Sequence, residues 1–293
     1  MVVTRIRYGL GNQMFQYAAG LALSRRLRCA HRLDTSYYAQ SPVRTYQLNH
    51  FEIHAGIATR LELAVFKAKA AHPFVRRSLQ FIRRLCPAYY PRIVSDESLA
   101  PDAPFFSVTG HVYLDGFFQN ARFFEGARDT VVEEFRMEET LDEQNRQYAT
   151  DIGSCDSSVM LHVRRDDLAW NEDTNRLFGV LGMDYYARAA EVVVRRVQNP
   201  RFFVFSDELE WARENIRLPY PVTFVAGNSQ DKAYIDLHLM TLCHHHIIAN
   251  STLSWWGAYL GRGENKQVIA PRNWYSQPDH FSYSVAHDDW LLL

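Results

Sequence analysis

Hydrophobic and polar residues change their spacing abruptly near the amino terminus. Residues 2–8 form a short stretch rich in β-branched side chains, which is typical of a strand. After the glycine-containing segment 9–12, apolar residues recur mostly three to four positions apart between residues 13 and 28. That spacing is typical of a helix. The amino terminus therefore predicts a strand, a glycine turn and a helix.

The same alternation returns in the second half of the chain. Short apolar stretches typical of buried strands occupy residues 157–163, 201–205, 222–225, 246–249 and 267–270. Helical spacing separates most of them, over residues 184–198, 208–217 and 232–243. Strands that alternate with helices favour a parallel sheet covered on both faces. The loops after such strands lie along one edge of the sheet, where ligands bind.

A polar, acidic segment separates the two halves. It covers residues 137–158, and its first part, 139–150, is compatible with a solvent-exposed helix. We therefore predict an α/β protein of two Rossmann-like domains facing across a cleft. The N-terminal domain is predicted to cover residues 1–154 and the C-terminal domain residues 155–293.

Composition excludes several classes of protein. With 47% apolar and 22% charged residues, the chain has the composition of a folded domain. Its formal net charge of -1 predicts no nucleic-acid partner. The four cysteines are far apart and contain no C-x-x-C pair, so neither a disulfide scaffold nor a zinc site is predicted.

No secretory signal or membrane-length apolar run is present, which favours a cytoplasmic protein or a truncated chain. Residues 60–95 nevertheless hold eight lysines and arginines against one acid, Glu62. One interpretation is a solvated helical face. The other is peripheral contact with an anionic membrane surface, such as the inner membrane.

Two adjacent arginines follow the predicted strand 157–163. They lie in the segment His162-Val163-Arg164-Arg165-Asp166-Asp167. Guanidinium groups bind the oxygens of a diphosphate through two parallel N–H donors. They also stabilise the negative charge that develops on the diphosphate as it leaves. In such a site Asp167 would hold one arginine in place. The alternative is an ion-pair cluster at the strand end.

A second polar segment follows the predicted strand 246–249. Asn250, Ser251 and Thr252 form a hydroxyl-rich turn, after which an apolar helix begins. Helix N-termini and neighbouring hydroxyl groups are good phosphate sites. Alternatively, Ser251 or Thr252 only caps the helix.

Three further features are weaker signals. The turn around Gly11 and Asn12 lacks the third glycine of a dinucleotide fingerprint, although it would let a backbone approach a ligand. Asp207 either caps a helix together with Glu210 or contacts a nucleotide. The run 244–246 consists of three histidines, but alternate strand residues face opposite ways, so no metal site is predicted.

Taken together, these segments resemble the bacterial α-1,2-fucosyltransferase family of glycosyltransferases. The matching motifs run in order along almost the whole chain, at residues 9–18, 46–48, 51–53, 114–119, 162–167, 205–207, 236–240, 247–258, 269–271 and 274. The resemblance implies a GT-B fold, GDP-fucose as donor, inversion without a metal ion, and the 2-hydroxyl of a terminal β-galactose as acceptor.

The resemblance also implies roles for single residues. Arg164 would contact the donor phosphates with Arg165 in support, and Asn12 would approach the reacting centre. The donor-binding set would comprise His162, Asp167, Asp207, Asn250, Ser251, Thr252, Ser254 and Gly11.

The proton acceptor is left open between Asp115 and Asp34. Three alternative functions also stay open. They are the same fold with another linkage or GDP-sugar donor such as GDP-mannose, a non-catalytic carbohydrate-binding module, and a Rossmann-type oxidoreductase.

Overall fold

The protein consists of two α/β units. The computed structural model describes residues 1–41, 43–67, 92–96, 104–165, 172–263, 265–276 and 284–293. The first unit covers Met1–Arg136 and the second Met137–Leu293. Each unit is built around one sheet, and the strand pairings in both sheets are parallel.

The N-terminal sheet has five strands in the order β3-β2-β1-β5-β4. The strands are β1 (Val2–Arg5), β2 (His31–Asp34), β3 (Gly56–Ile57), β4 (Arg92–Val94) and β5 (Val112–Leu114). The α-helices described in this unit are α1 (Leu10–Leu27), α2 (Arg60–Lys67) and α3 (Arg128–Glu134). Helix α1 packs on β1 and β2, and most of its residues are buried.

The C-terminal sheet has six strands in the order β11-β10-β9-β6-β7-β8. The strands are β6 (Ser158–Val163), β7 (Arg201–Ser206), β8 (Val222–Phe224), β9 (His245–Ile247), β10 (Val268–Ala270) and β11 (Leu291–Leu292). The α-helices described here are α4 (Glu143–Gly153), α5 (Glu172–Phe178), α6 (Met183–Val194), α7 (Leu209–Asn215), α8 (Ala233–Leu242) and α9 (Thr252–Leu260).

The central strand β6 is buried along its whole length. Its alternate residues Val159, Leu161 and Val163 pack into a core cluster with residues of β7 and α6. Residues on both faces of β6 are therefore buried, as expected for a parallel sheet covered by helices. This confirms the strands and the fold class predicted for the second half.

The division between the units lies after Arg136, earlier than the predicted boundary at residue 154. Half of the acidic segment between the halves forms α4, whose N-cap Asp142 accepts a hydrogen bond from the Asn145 N–H at 2.9 Å. Helix α4 packs on α8 of the C-terminal sheet. The segment is therefore part of the second unit rather than a linker.

The basic segment 60–95 lies largely outside the described residues. Only its two ends are described, as α2 and β4, so the membrane contact stays a prediction. Within the described residues, no helix combines the length and the hydropathy of a membrane-spanning segment.

Candidate functional site

The predicted residues of the C-terminal unit meet where the strand order reverses. From β6 the chain adds β7 and β8 on one side, and then returns to place β9 on the other. At such a switch point the loops after neighbouring strands diverge and leave a crevice that binds ligands. Arg164 follows β6 and Asn250 follows β9, so the two residues flank this crevice.

Arg164 bridges the two strands. Its Nη1 donates a hydrogen bond to the backbone carbonyl oxygen of Asn250 at 3.0 Å, and its guanidinium carbon lies 5.3 Å from the centre of the Phe178 ring. These contacts hold the planar group at the carboxyl edge of the sheet. A guanidinium held there is suited to binding phosphate oxygens.

His162 is buried on β6 near Arg164. Burial, and secondly the charge of Arg164, lower the pKa of the His162 imidazole to about 3. The ring is therefore neutral at physiological pH. Its Nδ1 is buried and has no hydrogen-bond partner among the described residues. A neutral ring adds no charge beside the arginine, so His162 is suited to shaping the crevice.

Arg165 is fixed against the loop that follows β7. Its backbone N–H donates to the carboxylate of Asp207 at 2.8 Å, and its Nε donates to Glu208 at 3.0 Å. Its guanidinium carbon also lies 3.9 Å from the centre of the Trp211 ring. These contacts fit the supporting role predicted for Arg165. The contact with Trp211 was not predicted, because no local pattern in the sequence indicates it.

Asp207 ties two loops together instead of capping a helix. The N-cap residue of α7 is Glu208, which makes no side-chain cap hydrogen bond. The interpretation of Asp207 as part of a capping box is therefore wrong. Its carboxylate joins the loop after β7 to the loop after β6 through the Arg165 N–H.

Asn250 is almost fully buried and organises the turn after α5. Its Nδ2 donates to the carbonyl oxygens of Phe178 and Gly179 at 3.0 and 3.1 Å. Gly179 has φ +70°, which glycine adopts without strain. The Asn250 side chain thus fixes the turn that carries the Phe178 ring against Arg164. The Phe178 contact was not predicted, because it joins residues distant in sequence.

The hydroxyl groups at the start of α9 have different environments. Ser251 is the N-cap residue, but its side chain makes no cap hydrogen bond, so capping does not account for its hydroxyl. Thr252 is the first helical residue. The Ser254 side chain is fully buried and donates to the Ser251 carbonyl at 3.2 Å. The Ser254 hydroxyl therefore donates within the helix, and its role at the donor stays a prediction.

Asp167 was predicted to belong to the donor-binding set. It lies within residues 166–171, which are outside the described residues, so this role stays a prediction.

The three consecutive histidines have separate structural partners. His244 bonds a serine hydroxyl of β6, His245 accepts a backbone N–H, and His246 donates to a backbone carbonyl. Among the described residues, no three His, Cys, Asp or Glu side chains are grouped to hold a metal ion. Whether the reaction needs a metal ion stays a prediction from the family resemblance.

The N-terminal unit has its own switch point, between β1 and β5. Arg5 ends β1 and lies 3.1 Å from the carboxylate of Asp115, which follows β5. Arg7 lies 3.4 Å from the same carboxylate. Neither arginine was predicted to belong to a site. Two bases at alternate positions, at the end of the first strand, were the signal that could have identified them.

Gly11 and Asn12 lie inside α1, which begins at Leu10 rather than after residue 12. Gly11 is buried in the first turn of this helix, so it does not form the open turn that was predicted. The Asn12 side-chain oxygen accepts a hydrogen bond from Gln119 at 2.6 Å, which fixes the orientation of its amide.

The two candidate proton acceptors differ in accessibility. Asp34 is 1% exposed and accepts hydrogen bonds from the Tyr113 hydroxyl at 2.7 Å and the Ser36 N–H at 3.0 Å. The Asp115 side chain is 30% exposed and ion-paired with arginines. Of the two, only Asp115 presents appreciable surface to a ligand.

Two parallel-sheet α/β units with a switch point in each are the architecture of the GT-B fold, which many glycosyltransferases share. Solved structures show the same fold. The Arabidopsis thaliana FUT1 protein in complex with GDP has a TM-score of 0.52 and 11% identity, over 94% of this chain and 72% of that one. The NodZ α-1,6-fucosyltransferase has a TM-score of 0.50 and 15% identity, over 88% and 91%.

The chain belongs to glycosyl transferase family 11, whose sequence profile matches residues 94–293. An alpha-1,2-colitosyltransferase of Escherichia coli is 31% identical, over 100% of this chain and 99% of that protein. The O-antigen biosynthesis glycosyltransferase WbnK of Escherichia coli is 30% identical, over 97% and 98%. The resemblance found in the sequence is therefore confirmed at the level of the family.

Proposed function

We propose that the protein transfers L-fucose from GDP-fucose to the 2-hydroxyl of a terminal β-galactose, with inversion and without a metal ion. The observation that carries this proposal is the position of Arg164 at the switch point, held by the Asn250 carbonyl beside the start of α9. A cation and a helix N-terminus together suit a diphosphate.

The proposed reaction is a single displacement. The bond between the anomeric carbon and the β-phosphate oxygen breaks while the acceptor oxygen forms a bond on the opposite face. GDP takes the electron pair of the broken bond, and the acceptor hydroxyl loses its proton. Arg164 stabilises the negative charge that develops on the departing diphosphate, the role that a metal ion has in other enzymes.

The proton acceptor stays unassigned. Asp34 is buried, and the Asp115 carboxylate is paired with the guanidinium groups of Arg5 and Arg7. A transition state in which the leaving bond breaks early needs only late and weak proton acceptance. Both carboxylates are therefore compatible with structural roles.

A second candidate donor is GDP-colitose. The support is the full-length similarity to a protein named as an alpha-1,2-colitosyltransferase. Colitose is fucose without the 3-hydroxyl group, so the same displacement applies to both sugars. An enzyme that hydrogen-bonds the 3-hydroxyl would reject GDP-colitose, because its own polar groups would be left unpaired.

The test is a direct comparison of the two donors. Purified protein is incubated with excess EDTA, a panel of β-galactosides, and either GDP-fucose or GDP-colitose, and GDP release and product mass are measured. Addition of one fucose supports the proposal, and linkage analysis then tests the 2-position. Transfer from GDP-colitose and not from GDP-fucose would show that colitose is the sugar transferred. Loss of transfer in EDTA contradicts the metal-free reaction, and failure to bind GDP in calorimetry refutes the proposal.

A further inference from the structure

Tyr8 has an unusual backbone conformation and an exposed ring. Its φ is 67°, in the left-handed region that aromatic residues rarely adopt, and the residue is 40% exposed. Its carbonyl oxygen accepts hydrogen bonds from Gln13 Nε2 at 3.0 Å and from the Tyr38 hydroxyl at 2.9 Å. The surroundings therefore hold a strained conformation, as is often seen at ligand sites.

The Tyr8 ring contacts two other rings and a guanidinium group. It stacks on Phe117 with centres 5.4 Å apart and planes at 28°, and it lies 5.4 Å from Tyr37. The Arg7 guanidinium lies 5.6 Å from the Tyr8 ring and 5.0 Å from the Phe117 ring. These contacts fix the plane of Tyr8, so a ligand would meet a rigid aromatic surface.

The rings come together at the switch point of the N-terminal sheet. Tyr8 follows β1, Tyr37 follows β2 and Phe117 follows β5. Loops at the carboxyl ends of parallel strands, where the strand order reverses, line the ligand crevice of such sheets. Asp115 lies in the same loop as Phe117 and is bound to Arg7, which places groups able to bind hydroxyls beside the rings.

A pyranose matches this combination of an apolar plate and polar neighbours. One face of β-galactose presents the hydrogens on C3, C4 and C5 together, because its 4-hydroxyl is axial. In glucose the 4-hydroxyl is equatorial and the apolar face is smaller. An aromatic ring that packs on this face therefore distinguishes the two epimers, while charged groups bind the hydroxyls at the rim.

We propose that Tyr8, backed by Phe117 and Arg7, is the ring on which the terminal galactose of the acceptor stacks, and that it determines the preference for galactose over glucose. This inference rests on the proposed function, in which a galactoside is the acceptor.

The decisive variant is Tyr8→Asn, because asparagine tolerates a positive φ and removes the ring. We expect the KM for a β-galactoside acceptor to rise at least about tenfold. The KM for the donor and acceptor-independent GDP release should stay within about twofold. Tyr8→Phe keeps the ring and should keep the acceptor KM, and Ile57→Ala, an exposed residue on β3, is the matched control. An unchanged acceptor KM in Tyr8→Asn overturns the proposal.

A binding experiment separates this inference from the proposed function. GDP-loaded protein is mixed with methyl β-D-galactopyranoside, and saturation-transfer NMR records which sugar protons receive magnetisation. Saturation of H3, H4 and H5 that persists in Tyr8→Phe and disappears in Tyr8→Asn supports the inference. Equal saturation in Tyr8→Asn, or none in the wild type, overturns it. Calorimetry on the same samples shows whether GDP binds, and absence of GDP binding refutes the proposed function instead.

Discussion

Replacement of Arg164 by alanine is the sharpest test of the proposed mechanism. The change removes the guanidinium that spans the carboxyl ends of β6 and β9, together with its hydrogen bond to the Asn250 carbonyl. It leaves the neighbouring loop in place, because the Arg165 N–H still binds Asp207. Loss of activity can therefore be separated from loss of the fold.

Two magnitudes follow from these contacts. The lost hydrogen bond to a carbonyl oxygen and the lost ring contact with Phe178 destabilise the fold by roughly 1–3 kcal/mol, which a protein of ordinary stability survives. Removal of a group that stabilises charge in the transition state costs about 3 kcal/mol, or roughly a hundredfold in rate. The loss of activity should thus greatly exceed any loss of folded protein.

The assay measures kcat and the donor KM for Arg164→Ala, Arg164→Lys and a control. The control is Arg196→Ala, which removes an exposed arginine whose Nη1 donates to the Gln267 side chain at 3.0 Å. Lysine keeps the positive charge but lacks the planar pair of N–H donors of arginine. We therefore expect Arg164→Lys to retain intermediate activity. If Arg164→Ala kept more than about a third of the wild-type kcat, the assignment of Arg164 would be wrong.

Three further outcomes are expected. Ser251→Ala should raise the donor KM about tenfold. It should not lower the melting temperature, because the Ser251 hydroxyl makes no cap hydrogen bond. A lower melting temperature would indicate that the hydroxyl caps the helix. Burial lowers the pKa of His162 and His246 to about 3, so below pH 6.5 the unfolded chain takes up protons that the native state does not. The free energy of unfolding, measured in urea, should therefore fall by about 1.4 kcal/mol per pH unit for each histidine as the pH is lowered. A free energy of unfolding that stays constant between pH 7 and 5 would contradict this. Gly257→Ala places a Cβ 2.8 Å from a methionine Cβ of α8, so the free energy of unfolding should fall by about 1–3 kcal/mol in a thermal measurement. Gly153→Ala is the control and should cause no such loss, because the space around Gly153 is open.

Local pattern predicted the strands of the second half because each is a short, continuous apolar stretch. The predicted strand at 157–163 corresponds to β6, and the stretch at 201–205 corresponds to β7. Local pattern was less reliable where glycine is involved. Gly11 was interpreted as part of a turn, but the helix already includes it because neighbouring apolar side chains pack against the sheet.

The candidate site was predicted in part. Arg164 and Asn250 were identified from their position directly after apolar strands. Burial of a polar or charged group there is costly unless the group has a partner or a ligand. The support from Phe178 and Trp211 was missed, because an aromatic residue that contacts an arginine has no pattern of its own in sequence. Ser254 was included because it lies within a matching motif, yet its hydroxyl is bonded inside the helix.

The sequence by itself determined the family, the alternation of strands and helices, and the chemical types available at the strand ends. These properties depend on residues close together in the chain. Only the tertiary structure decided which of those residues meet. Arg164 and Asn250 are 86 positions apart. They come into contact because the order in which strands are added to the sheet reverses at β6, so that β9 lies beside it. That reversal is a property of how the whole sheet packs, and no local spacing encodes it.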